Sequence, residues 1–205
     1  MKYLFIISLL LFVSCKKERT FHITAKNAAT GEPYPGLSFE IQRSWSGAFE
    51  NHYKSVGSGF LNENGEVYFT KRLHKNSSYS ISVAPPPNTC YISDTDLHPG
   101  GETNFKAEFE FAECAYMKLR IHNVNCEGNT DTMRFRSKYS YDTKWQGWAT
   151  NRIGCYNFDS PYPFEVAEGW RIYEWQVKRS GIISTYIDSI YLDKGVNNGI
   201  FQMNY

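Results

Sequence analysis

The stretch Asn104–Phe111, NFKAEFEF, puts Phe105, Ala107, Phe109 and Phe111 on one side of an extended chain and Lys106, Glu108 and Glu110 on the other. Successive side chains of a strand point to opposite faces, so this alternation predicts a half-buried β-strand. The same period of two recurs on both sides of it. FHITA aligns Phe21, Ile23 and Ala25; LSFEI aligns Leu37, Phe39 and Ile41; YSISV aligns Tyr79, Ile81 and Val83. After Cys114 the pattern resumes with Met117, Leu119 and Ile121, then Met133 and Phe135, and runs through YPFEV, RIYEWQV, TYIDSIYL and GIFQMNY. Beyond the leader no stretch holds a helical stripe for three turns. Glycine and proline punctuation recurs at TGEPYPG, SVGSG, NENG, APPPN, HPGG and AEGW. The expected fold class is all-β: two consecutive β-sandwich domains, residues 20–114 and 115–205, with a single large sandwich as the alternative.

The chain opens MKYLFIISLLLFVSCKKERTF. Lys2, the uncharged apolar run Tyr3–Val13 and the small Ser14 before Cys15 have the layout of a cleaved secretory leader, residues 1–14. The run is too short for a permanent span, which needs about 20 residues. A leader ending at a cysteine resembles a bacterial lipoprotein precursor over Met1 to Lys17. The resemblance implies cleavage before Cys15, lipidation of that residue, and a tether at 15–19 holding the protein to a cell-envelope membrane, the outer membrane of a Gram-negative cell. Each buried methylene contributes about 0.8 kcal/mol, and stable anchoring takes more than one chain.

Of 22 basic residues one, Lys2, lies in the leader, so the remainder balances the 21 acidic residues one for one. Nucleic-acid binding, which needs clustered Lys and Arg, is not expected. Cys15 apart, four cysteines remain: Cys90, Cys114, Cys126 and Cys155. An even number fits disulfides in an oxidising compartment. Three pairings are possible; Cys90–Cys114 with Cys126–Cys155 keeps each bridge on one side of a boundary near residue 115. Each would contribute about 3 kcal/mol in the chain-entropy model.

In FLNENGEVYF, Asn64-Gly65 supplies residues that tolerate positive φ and reads as a hairpin turn. With Thr30-Gly31-Glu32-Pro33 and Pro35-Gly36 before it and YSISV after it, residues 20–113 resemble the carboxypeptidase-regulatory-like, or transthyretin-like, β-sandwich. The resemblance implies a supporting or binding module without catalytic residues. The excursion Arg43–Ser58 is longer than that family's pattern.

Candidate sites are few. Asp94, Asp96, His98 and Glu102 make DTDLHPGGE oxygen-rich enough to suggest a calcium site, but the plainer reading is a solvated turn in which Asp side chains cap local backbone groups. NVNCEGNTD begins like an EF-hand loop but has Arg134 where the bidentate glutamate is required. No GxSxG, HExxH or phosphate-cradling glycine loop occurs, so neither a catalytic residue nor a cofactor is assigned. His22 and His122 fall at polar strand positions. YSYDTKWQGWATNRIGCYNF groups Tyr141, Trp145, Trp148 and Tyr156 among amides and charges, a mixture suited to sugar rings, to a protein interface, or to packing against the sandwich. Trp175 reads as core. The sequence points to a lipid-tethered envelope module that binds, adheres or assembles without catalysis, its partner an envelope protein or glycan. The alternatives are a glycan-binding surface lipoprotein and a hydrolase whose site has no recognisable motif.

Overall fold

The computed structural model describes residues 16–74, 77–93, 103–196 and 199–205, with Leu97–His98 described by backbone pairing alone. Every regular element among them is a strand. The described residues form two compact units, one built from residues up to Asn27, Gly31–Pro86 and Ile92–Phe111, the other from Ala28–Thr30, Pro87–Tyr91 and Ala112–Tyr205.

In the first unit β1 (Lys16–Asn27) pairs antiparallel with β4 (Glu66–His74) and parallel with the opening half of β8 (Asn104–His122). A second sheet joins β2 (Ser38–Ser46) to β3 (Asn51–Phe60) and β5 (Ser78–Val83), with β7 (Leu97–His98) beyond β5. The alternation read from sequence holds in detail. Phe21, Ile23, Phe39, Ile41, Tyr79, Ile81, Phe105, Ala107, Phe109 and Phe111 are buried in one core fed by both sheets. Phe21 and Phe105 face each other across β1 and β8, their rings stacked 4.7 Å apart.

Three expectations change here. Residues 16–19 are not a tether: they open β1, pairing Lys16 with His74 and Arg19 with Lys71. Arg19 is buried, its guanidinium 5.0 Å from the Tyr79 ring and 5.4 Å from Phe105. The long excursion after Arg43 is the β2–β3 hairpin, with a bulge between Ile41 and Gln42. Asn64-Gly65 does not close a hairpin, because β3 pairs with β2 whereas β4 pairs with β1. It carries the chain from one sheet to the other. Asn62 organises that crossing, its side-chain oxygen accepting from the amides of Asn64 and Glu66 at 2.9 and 3.1 Å. Asn-Gly chemistry specifies positive φ, not which strand the flanks will join.

The second unit also has two sheets. The closing half of β8 pairs antiparallel with β11 (Asn157–Asp159) and β12 (Phe164–Ala167), and parallel with β15 (Gly199–Asn204). The other sheet runs β10 (Arg152–Ile153), β9 (Thr132–Tyr139), β13 (Gly169–Arg179), β14 (Ile182–Leu192). Met117, Leu119, Ile121, Met133, Tyr173, Trp175, Phe201 and Met203 fill the core. Tyr173 stacks on Phe201 at 4.3 Å, and Trp175 meets the same ring edge-on. β6 (Thr89–Ile92) also pairs with β8. The disulfides are Cys90–Cys114 and Cys126–Cys155, and both fall in this unit because Pro87–Tyr91 packs with it.

Gly65 has φ of 66°, and a Cβ there would lie 2.7 Å from the Ala25 carbonyl oxygen. Gly65→Ala is therefore expected to destabilise by about 1 kcal/mol or more. Urea unfolding reads this as a lower midpoint at unchanged slope, and an unshifted midpoint would show that the crossing relaxes freely.

Candidate binding surface

On β9 the inward Met133, Phe135 and Ser137 alternate with the outward Arg134, Arg136 and Lys138. The segment carrying the two tryptophans is pinned along the strand's edge. Gln146 donates its backbone N–H to the Ser137 carbonyl at 3.0 Å, and Ala149 donates to Phe135 at 2.8 Å. Trp145 and Trp148 are thereby laid among the cations. Arg134 and Arg136 each sit 4.5 Å from the Trp148 ring; Arg136 and Lys138 sit 4.9 and 5.2 Å from Trp145. Alternate residues of a strand are about 6.7 Å apart, which lets an aromatic ring slot between successive cations. The result is a ladder in the order Arg134, Trp148, Arg136, Trp145, Lys138.

β13, beside β9 in the sheet, holds the cations in place. Arg136 donates Nε to Glu174 at 2.7 Å and pairs with the same carboxylate through Nη2 at 2.5 Å; Arg134 donates to Gln176 Oε1 at 2.7 and 3.0 Å. Arg171 reaches Ser137 Oγ at 2.8 Å and Gln146 Oε1 at 3.1 Å. Both tryptophans are half-buried, with cations over their rings. A sugar stacking on either would have to displace a cation. Beside the ladder, a hollow of about 140 Å³ is lined by Thr132, Arg134, Asn151, Gln176, Lys178 and Ile183.

The other two rings of the expected cluster lie apart from the ladder. Tyr141 stacks on Tyr139 at 5.1 Å, meets Tyr91 edge-on at 4.8 Å and donates its hydroxyl to the Glu168 carbonyl. Burial pushes its phenol far above the ordinary range. Tyr156 packs against Phe158 and under Arg152. Among the described residues neither stacks on a tryptophan. Trp175 is core, 6% exposed. His22 bridges to Glu66 at 3.0 Å and stacks on Tyr68; His122 lies 3.6 Å from Asp159.

Asp94, Asp96 and Glu102, and the side chain of His98, lie outside the described residues, as does Cys15. Cys90, Cys114 and Glu165 come within metal-ligand distance of one another, but the two sulfurs are bonded together and so are spent as ligands. In the first unit a larger hollow, about 600 Å³, is lined by Arg43, Ser44, Trp45, Asn51, Tyr53 and Ser77. Its Arg43 lies 4.4 Å over Trp45, and Trp45 stacks on His52.

Two features escaped sequence reasoning. The first is Asp131, fully buried, which accepts from the Glu127 backbone amide at 3.0 Å and pairs with Arg179 at 3.3 Å. The amide chiefly, with Arg179 and Asn123 helping, outweighs burial and holds its carboxyl below the usual range. The second is β14. It joins β13 through eleven consecutive pairs without a register shift, and among the described residues no strand pairs with its other edge. Residues 182–189 and Tyr191 are exposed, Ile183 at 61% and Ile187 at 65%. TYIDSIYL announced a strand but not an edge, because a run with one charge reads as an interior strand.

No family model and no curated protein matches the chain. Among solved structures it is similar to the TIE protein of Bacillus anthracis (17% identity, TM-score 0.35, covering 92% of this chain and 33% of that one). It is also similar to the shaft pilin SpaA of Lactobacillus rhamnosus GG (10%, 0.34, covering 91% and 98%) and to GBS52, the minor pilin of Streptococcus agalactiae (10%, 0.32, covering 91% and 94%). The chain thus spans about a third of the length of the TIE protein. Superpositions this loose transfer no function.

Two outcomes are expected. A double-mutant cycle pairing Arg136→Ala with Trp148→Ala should give a coupling of about 0.5–1 kcal/mol in urea unfolding; zero coupling would mean the contact contributes nothing. The depressed Asp131 carboxyl stabilises the fold above the ordinary carboxylate value near 4, and that stabilisation is lost as pH falls through the lower folded-state value. Asp131→Asn should therefore flatten the acid limb of a stability-versus-pH curve. An unchanged limb would assign it to other groups.

Proposed function

We propose that this chain is a non-catalytic module of a bacterial cell envelope, anchored by lipid on Cys15 to the outer membrane of a Gram-negative cell, which works by binding or assembling with other envelope components. One observation supports this reading above the others: the bare β14 edge. A sheet edge presents a row of unpaired N–H and C=O groups, and proteins that must stay solitary blunt it with lysines, prolines, bulges or a covering segment. Among the described residues β14 has none of these, and Asp188 is its one charged residue. Such an edge can accept an added strand, with backbone hydrogen bonds supplying affinity and alternate side chains supplying specificity.

A second reading, a glycan-binding surface lipoprotein, is favoured by the hollow beside the ladder, where the amides of Asn151 and Gln176 line a wall shared with Arg134, the cation over Trp148. Its measure is a glycan array: loss of signal in both Trp145→Ala and Trp148→Ala supports it, and no wild-type signal removes it.

The main reading is tested in cells of the native type. A clickable fatty acid should label the wild-type chain, and Cys15→Ala should abolish the label and release the protein from the membrane fraction. A photo-crosslinking residue at Ile183 should trap discrete adducts. Unmodified Cys15 sulfur in the purified protein overturns the anchor, and absence of any adduct overturns the assembly role.

A further inference from the structure

Resting on the assembly reading, we propose that the β14 edge is covered by β14 of a second copy, antiparallel and in one register, with the two copies of Ile187 facing each other across a two-fold axis. The argument begins with the opposite edge of the same sheet. On β9 that edge is occupied, by β10 at Thr132 and Met133 and by the amides of Gln146 and Ala149 at Ser137 and Phe135. On β14 eleven residues, about 37 Å of strand, have no such cover among the described residues.

The strand is complementary to itself. In a two-fold antiparallel pair, residues directly opposite share a face, so the axis must lie between a residue and its own copy. Centred on Ile187, all of Ile182–Leu192 overlaps. On one face Ile187 meets Ile187, Thr185 meets Ser189, and Ile183 meets Tyr191. On the other, Tyr186 meets Asp188, Ser184 meets Ile190, and Ile182 meets Leu192. Apolar groups meet apolar groups on the first face, hydroxyls meet hydroxyls, and the lone carboxylate of each copy faces a phenol able to donate to it. Cross-strand pairs of these kinds contribute about 0.2–1 kcal/mol each.

Neighbouring registers lose this. Centring on Asp188 sets the two carboxylates against each other, a destabilising like-charge pair. Centring on Tyr186 puts Ile187 against Thr185, Ile183 against Ser189 and Tyr191 against Gly181. Each step from Ile187 also shortens the overlap at both ends. The isologous contact closes on itself, so it makes a dimer with one eight-stranded sheet and no open filament.

The register makes the test sharp. In cells, or with the purified full-length protein under mild oxidation, Ile187→Cys alone should form a disulfide-linked homodimer. Thr185→Cys alone should not, whereas Thr185→Cys with Ser189→Cys should. By sedimentation the wild type should dimerise, and Ile187→Lys should weaken that association at least tenfold with unchanged circular dichroism. Equal crosslinking of the single variants at Ile187 and Thr185, or a monomer with no crosslink at either, overturns self-pairing. The two failures are distinguishable: a photo-crosslinker at Ile183 that traps only a different protein defeats self-pairing while the assembly reading stands, and one that traps nothing defeats both.

Discussion

A strand with a core along its length must have its backbone satisfied on both sides, and β8 is where that constraint bears hardest. It runs nineteen residues, with its odd-numbered side chains buried from Phe105 to Phe111 and again from Ala115 to Ile121. Its first half takes β1 as a parallel partner; its second takes β11 and β12 on antiparallel ladders and β15 on a parallel one. A buried amide or carbonyl left unpaired costs about 1–3 kcal/mol. Each of these neighbours is therefore fixed in place by the same need, and a parallel neighbour can only arrive by a long connection. The arrangement of strands around β8 follows from satisfying this one segment, whereas the sheets β3-β2-β5-β7 and β10-β9-β13-β14 form without it.

The period of two was legible because it is set by the pleat alone. Phe21, Ile23, Tyr79, Ile81 and Phe105 went to the core as the pattern required, and Trp175 went with them. Sheet membership was not legible. Asn64-Gly65 forecasts a turn, yet whether its flanks pair depends on residues far away in sequence, here Phe39 with Gly59 and Phe21 with Phe69. Nor could composition place Arg19: a charged residue beside the expected start of a domain reads as solvated, while here aromatic faces of Tyr79 and Phe105 receive it. At the candidate surface the tryptophans stood out and their occupants did not. Arg134, Arg136 and Lys138 are ordinary alternate polar positions until Gln146 and Ala149 dock against the strand and bring rings between them.

The two edges of one sheet show opposite solutions to the same problem. Along β9 the exposed backbone is consumed by the Gln146–Ala149 segment, and the indoles that come with it are held by cations that Glu174 and Gln176 in turn orient. Polar groups there are largely committed to each other, which favours rigidity. Along β14 no strand among the described residues takes the outer backbone, and the side chains are mostly isoleucine, tyrosine, serine and threonine, residues suited to a pleated neighbour.

β1 is already laddered to β4 at Lys16, one peptide bond past the proposed acylation point. A fully extended residue spans only about 3.5 Å. If Cys15 carries the lipid as proposed, a domain leashed that closely would have little swing above the bilayer. Its search for others would be confined to gliding in the membrane plane, where encounters are two-dimensional, local crowding is set by surface density, and every copy is presented at a single height.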